Sequence, residues 1–215
     1  MTEPAASTSA PRRARARRGE GEKLKTEILE AAERLLSETG DEAAVSIRAI
    51  ADAVGVSPPA IYLHFADKDE LLFELCEQRF GEFRERVHGA LASHSDPIAA
   101  LRAGGLAYIQ FALENPEHYS ILFMSKTPMP GDRPIEELSG YRAFMDLVEV
   151  VQRAVEQGRF RPVDPFVAAI GLWTGLHGLV SLQIAAKSDF PWPDQESLVD
   201  YILDWQLRGL VTESP

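Results

Sequence analysis

Cysteine is nearly absent. Cys76 stands alone among 215 residues, so the chain can form neither an internal disulfide nor a multi-thiolate metal site. That fits a reducing compartment, and the thiol reads either as an inert buried group or as a switch. Positive charge is also scarce: the net charge is −11. Its distribution is uneven, since residues 1–25 carry seven basic and three acidic side chains and the remainder carries fifteen and thirty. Phosphate contacts act over about a Debye length of 8–10 Å, so an acidic body does not exclude a locally basic DNA face. The first residues lack the apolar core of a secretory signal. One long stretch lacks charge, the 20 residues Val167–Ala186. Thr174, His177, Ser181, Gln183 and three glycines interrupt it, and no basic cluster flanks it. It reads as a helix buried in a soluble bundle rather than a membrane span.

Catalytic constellations are missing as well. His64, His88, His94, His118 and His177 are scattered, with neither an HExxH motif nor Cys/His ligand spacing. The chain has no phosphate-cradling glycine loop and nothing like a nucleophile elbow. The expectation is a protein that is not an enzyme and uses no metal and no cofactor.

What is present is helical periodicity. Hydrophobic residues make up 45% and charged residues 26%, a soluble globular composition for one or two domains. Residues 1–20 are expected to form a disordered basic arm, with Arg12, Arg13, Arg15, Arg17 and Arg18 close together. The arm reads either as a solvated tail or as a minor-groove or phosphate contact. Leu24, Ile28, Ala31, Ala32, Leu35 and Leu36 keep i, i+3/i+4 spacing and define a first helix, with Gly40 just past its end. Ser46 opens a second helix, Gly55 stops it, and Ser57-Pro58 begins a short third one ending near Phe65. Asp67 followed by Glu70 is a capping-box pattern that starts a long fourth helix. Further helices are predicted over Pro97–Asn115, Pro116 to about Ser125, Pro134–Gln157, Pro165–Ala186 and Asp194–Leu210. The fold class is all-α, with about nine helices and no sheet.

Two helices joined by a glycine-containing turn form a helix-turn-helix, whose second helix enters the major groove. Ile61 and Phe65, four apart, face the three-helix core, leaving Ser57, Pro58, Pro59, Ala60 and Tyr62 outward. The run from Val45 to Ser57, then Ile61-Tyr62-Leu63-His64-Phe65 and Lys68, resembles the DNA-binding signature of the TetR family of repressors. The resemblance implies that Tyr62, His64 and Lys68 contact operator phosphates and that Ser46 and Arg48 touch backbone or nearby bases. Pro58-Pro59 is an unusual opening for such a helix, and Leu63 stands where a polar or basic residue is common. Base reading then leans on Ser57, Tyr62 and Arg48, on apolar contact with thymine methyls, and on DNA shape.

The domain expectation is a helix-turn-helix head at 21–66 and a larger ligand-binding and dimerisation domain at 67–215. In the latter, Trp173, His177 and Gly178 are similar to the Trp-His-Gly pattern of one TetR C-terminal subgroup. Trp173 and His177, with Ile170, Thr174 and Ser181, form an aromatic-polar stripe. Tyr108, Phe111, Tyr119, Phe123, Met124, Phe144 and Leu147 join Trp173 and His177 as pocket candidates, though each reads equally as core filler. Gly171, Gly175, Gly178 and Leu182 make a small-residue stripe. With Leu198, Tyr201, Ile202 and Trp205 they are assigned to a dimer interface built as a four-helix bundle. The functional expectation is a cytoplasmic, ligand-responsive homodimeric repressor. Its partners are double-stranded DNA at a palindromic operator and an unidentified small-molecule effector, with no membrane. The alternative is a small-molecule-binding or scaffold protein with a degenerate DNA-binding head.

Overall fold

The computed structural model describes residues 20–39, 45–124, 133–186 and 190–212. They fall into two compact units, one reaching to Cys76 and one beginning at Glu77. Among the described residues there are nine α-helices, one 3-10 turn and no strand. The basic arm before Glu20 and the expected cap at Gly40 lie outside the described residues.

The first unit holds α1 (Glu20–Thr39), α2 (Ile47–Val54), α3 (Pro58–Ile61) and the opening turns of α4 (Lys68–Ala92). Helix α1 buries Ile28, Leu29, Ala31, Ala32 and Leu36, the stripe its spacing dictates. The Ser46 hydroxyl accepts the Ala49 N–H at 3.1 Å and so caps α2. Gly55 ends that helix at φ +76°, where a side chain would add about 1–2 kcal/mol. Helix α3 is a single turn prolonged by hydrogen bonds from the His64 and Phe65 N–H groups to the Ile61 carbonyl, at 2.9 and 3.1 Å. Ile50, Ile61, Phe65, Leu71 and Leu75 are closed off from solvent. Lys25 roofs this core, its ammonium 5.5 Å from the Phe65 ring centre and 3.2 Å from Glu74. The predicted capping box is present in a shifted form, with the Glu70 carboxylate reaching the residue before the Asp67 cap. Asp67 accepts the Glu70 N–H at 2.8 Å, and the Glu70 carboxylate accepts the Ala66 N–H.

The second unit contains the rest of α4, then α5 (Pro97–Glu114), α6 (Pro116–Met124), α7 (Ser139–Glu156), α8 (Pro165–Ala185) and α9 (Gln195–Arg208). Asp96, Asp164 and Asp194 cap α5, α8 and α9 by accepting backbone N–H bonds, and proline follows at the first position of α5 and α8. The helix predicted from Pro134 is broken. A 3-10 turn, Ile135–Glu137, leads to an extended Leu138 that is itself buried, and the Glu77 carboxylate accepts the Ser139 N–H at 3.0 Å to start α7.

Two apolar clusters fill this unit. One gathers Phe83, Tyr108, Phe111, Tyr119, Leu176, Val180 and Leu203. The other gathers Leu91, Leu101, Val151, Phe160, Ala169, Leu172 and Leu207. Phe160, 1% exposed, is pinned where the chain end meets the α7–α8 loop. It makes an antiparallel bridge with Val211, while Arg161 N–H donates to the Leu210 carbonyl at 2.8 Å and Thr212 N–H to the Arg159 carbonyl at 3.1 Å. Gly158 turns the loop at φ +67°. By length and composition, α8 is the one helix among the described residues able to cross a membrane. Its Ala168, Ala169, Leu172, Leu176, Leu179 and Val180 are instead buried against its neighbours.

Candidate functional sites: a recognition segment and an aromatic core

The exposed side of the segment after Gly55 differs from the sequence reading. Pro59 and Tyr62 stand outward as expected, whereas Ser57, Pro58 and Ala60 are half-buried. Leu63 and Ala66 are exposed, so the outward residues of this segment are Pro59, Tyr62, Leu63 and Ala66. The reason is that Ile61 and Phe65 both turn into the core, which rotates Leu63 fully out. Arg48 is exposed on α2, and Ser46 beside it keeps its hydroxyl proton while its oxygen caps the helix. His64 and Lys68 are half-buried at the two ends of the 64–68 turn. The Ser57 hydroxyl makes no cap bond.

In the second unit, three helices bring three polar atoms together inside an aromatic shell. Tyr119 Oη lies 2.6 Å from His177 Nδ1 and 2.9 Å from Tyr108 Oη, and Tyr108 Oη lies 3.2 Å from the same nitrogen. Desolvation pushes the His177 imidazole below its ordinary value and both phenols above theirs, so all three groups are neutral. A neutral imidazole carries its proton on one nitrogen only, so Nδ1 accepts from the phenols when the proton is on Nε2 and donates to a phenol oxygen when it is on Nδ1. Around this triad, Phe123 meets Tyr119 at 4.8 Å and His177 at 5.3 Å between ring centres, and Trp173 meets His177 at 5.5 Å. Phe83 packs edge-on against Tyr108 and Phe111, and Phe80 against Phe123.

Of the pocket candidates, Tyr108, Phe111, Tyr119, Phe123, Trp173 and His177 converge here, and Phe144 touches Trp173 at 6.0 Å. Leu147 does not join them. One turn farther along α7, it packs on the cluster around Val151. Met124 ends α6, and its side chain lies outside the described residues. The sequence reading missed Phe80 and Phe83, although their i, i+3 spacing on α4 was a usable signal.

One pH effect follows. An unfolded His177 takes up a proton at a higher pH than the folded one, so stability relative to neutral pH is lost as pH falls from the ordinary imidazole range through the folded-state value. Urea melts at pH 7.5 and 5.5 should show a smaller acid loss for His177→Gln than for the parent; equal losses would refute this.

The comparisons bear on both units. Residues 28–75 match the family of bacterial regulatory proteins, tetR family, and residues 101–205 match the tetracyclin repressor-like C-terminal domain. The chain belongs to the TetR family. It is a DNA-binding transcriptional regulator with a helix-turn-helix unit and a ligand-binding domain. One relative, the HTH-type transcriptional repressor KstR2 of Mycobacterium tuberculosis, is 27% identical over 140 residues, covering 63% of this chain and 68% of that protein. A protein of unknown function from Rhodococcus sp. RHA1 superposes with a TM-score of 0.75 at 28% identity, over 88% of this chain and 96% of that one. AibR, solved with isovaleryl coenzyme A and operator DNA, superposes with a TM-score of 0.66 at 25% identity, over 87% and 97%.

The C-terminal helices of this TetR-family chain leave one apolar face uncovered. Phe166, Val167, Ile170 and Leu182 on α8, and Tyr201 and Trp205 on α9, are all exposed. Gly171 is exposed and Gly178 has open space where a Cβ would stand. The other residues assigned to this surface are placed differently. Leu198 and Ile202 are half-buried and pack against their own core. Gly175 lies beneath the Gln206 amide, whose Nε2 donates to the Gly171 and Leu172 carbonyls at 3.0 Å each, so its smallness serves the α8–α9 contact within one chain. Ile170 and Thr174 are exposed, which splits the expected stripe from Trp173 and His177.

Proposed function

We propose that the chain is a homodimeric repressor that binds a palindromic operator and is released by a small neutral effector. The carrying observation is the apolar face of Phe166, Val167, Ile170, Leu182, Tyr201 and Trp205, which a second copy would cover by two-fold symmetry as a four-helix bundle. Pairing would set two heads on successive major-groove segments about 34–36 Å apart. At each head, Arg48, Ser46, Tyr62, His64 and Lys68 meet phosphates or base edges, with Ser57, Pro58, Pro59 and Ala60 at the leading edge.

The effector site is the aromatic core around Tyr108, Phe111, Tyr119, Phe123, Trp173 and His177. With Nδ1 engaged by the phenols, His177 Nε2 is the ring atom left to hydrogen-bond the effector, and the neutral surroundings disfavour a charged one. AibR, of similar fold, is solved in complex with isovaleryl coenzyme A and operator DNA, so this fold can carry a small-molecule site and an operator site in one protein. Helix α4 has residues in both units and is the covalent route between them. A coupling of about 1–3 kcal/mol changes operator affinity about 5- to 150-fold.

The test is selection of bound duplexes from a random pool, followed by titration at several salt concentrations. A repressor enriches an inverted repeat, binds two chains per site, and shows a flatter salt slope when residues 1–19 are removed. Failure to bind any duplex at low salt would instead favour a small-molecule-binding protein with a degenerate head.

A further inference from the structure

We infer that the recognition segment reads thymine through its 5-methyl group, with Leu63 as the contacting side chain. The inference rests on the DNA-binding role of the head and says what kind of base that head selects. Leu63 is 84% exposed, more than any other large hydrophobic side chain among the described residues. Ile61 at 0% and Phe65 at 1% hold the inward side of the same turn, and the bonds from His64 and Phe65 to the Ile61 carbonyl fix its rotation. Leu63 therefore has no place in the core of its own unit.

The chemistry of the whole face leads to the same base. Guanine presents O6 and N7 and is read by Arg or Lys. Adenine is read by Asn or Gln, and the cytosine amino group by a carboxylate; thymine alone adds a methyl group. The outward set Pro59, Tyr62, Leu63 and Ala66 contains one side-chain hydrogen-bonding atom, the Tyr62 hydroxyl. Pro58 and Pro59 also remove two backbone N–H groups from the start of α3. A face with almost no donors and no carboxylate can distinguish bases only by shape and apolar contact. A leucine beside a proline and an alanine fits a methyl group and offers nothing to a guanine edge. Arg48 is exposed on α2, outside this segment, so any phosphate or base contact it makes comes from the neighbouring helix.

Burying one methyl group changes affinity about fourfold, and a symmetric pair of half-sites doubles the free energy to about fifteenfold. The experiment starts from the site enriched by selection. Each thymine is replaced in turn by deoxyuridine in both half-sites, and the sensitive position is then made C·G and 5-methylcytosine·guanine. The expected result is one or two adjacent positions where uracil weakens binding by about fifteenfold per symmetric pair, and where methylated cytosine binds better than cytosine. Leu63→Ala should bind thymine and uracil equally there, with an unchanged salt slope and, because Leu63 is 84% exposed, an unchanged melting temperature. Equal binding of thymine and uracil by the parent protein at every position overturns the inference while leaving DNA binding intact. A uracil effect that persists in Leu63→Ala overturns the assignment to Leu63. If selection enriches no sequence, the regulator reading fails and takes this inference with it.

Discussion

A chain carrying Tyr201→Glu and Trp205→Glu is expected to sediment as a monomer and to lose operator affinity by about 10²–10⁴-fold. The two side chains are 70% and 69% exposed and lie one turn apart on α9, so neither is needed to fold its own unit. Across a two-fold axis each substitution acts twice, placing four carboxylates in a surface that would otherwise be dry and apolar. An unpaired ion in such a place costs several kcal/mol, more than a standard interface has to spare. A monomer can still hold one half-site, but the second head no longer benefits from the effective concentration that pairing provides. The loss therefore appears in the inverted repeat and hardly at all in an isolated half-site. Sedimentation equilibrium with an unchanged melting temperature checks the first part, and titration of whole and half operators checks the second. A variant that remains dimeric at micromolar concentration would move the interface away from α9.

Phe65→Ala is expected to destabilise the head by about 3–5 kcal/mol. Phe65 is 1% exposed, closes the segment carrying Tyr62 and Leu63, and lies under the Lys25 ammonium. A unit whose core rests on a few side chains such as Ile28, Ile50, Ile61 and Leu71 has little reserve against such a cavity. Binding of any duplex should disappear at 37 °C. Because the second unit has its own clusters, it should keep its near-ultraviolet circular dichroism from Tyr108, Tyr119 and Trp173. Retained DNA binding, or collapse of the aromatic signal together with the head, would contradict this division of stability.

Much of the fold was legible because helix boundaries are written in local chemistry. Ser46, Asp96, Asp164 and Asp194 sit where their oxygens meet free N–H groups, and the proline after Asp96 or Asp164 reinforces the same boundary. The break at Leu138 was not legible, since it depends on a Glu77 carboxylate 62 residues away in sequence. Helix faces were harder still. On α9, Leu198 and Ile202 form one i, i+4 pair and Tyr201 and Trp205 another, offset by three residues and so only about 60° apart around the helix. Periodicity finds both pairs but cannot say which one meets the core. In α3 the helix is too short for periodicity to act, and the outward turn of Leu63 follows from two buried neighbours. The triad of Tyr108, Tyr119 and His177 draws on three helices, so sequence could propose its members but not their hydrogen bonds.

The closure of the chain end on the 158–161 loop has a practical side. Helix α9 is anchored behind by its Asp194 cap and ahead by Val211 and Thr212, through Phe160 and Arg159. Four residues after Arg208 thus act as a buckle on the helix that bears Tyr201 and Trp205. A purification tag fused directly behind them, or a truncation at Arg208, would loosen that buckle and blur the orientation of both aromatic rings. Fusions intended to report self-association should accordingly be made at the amino end.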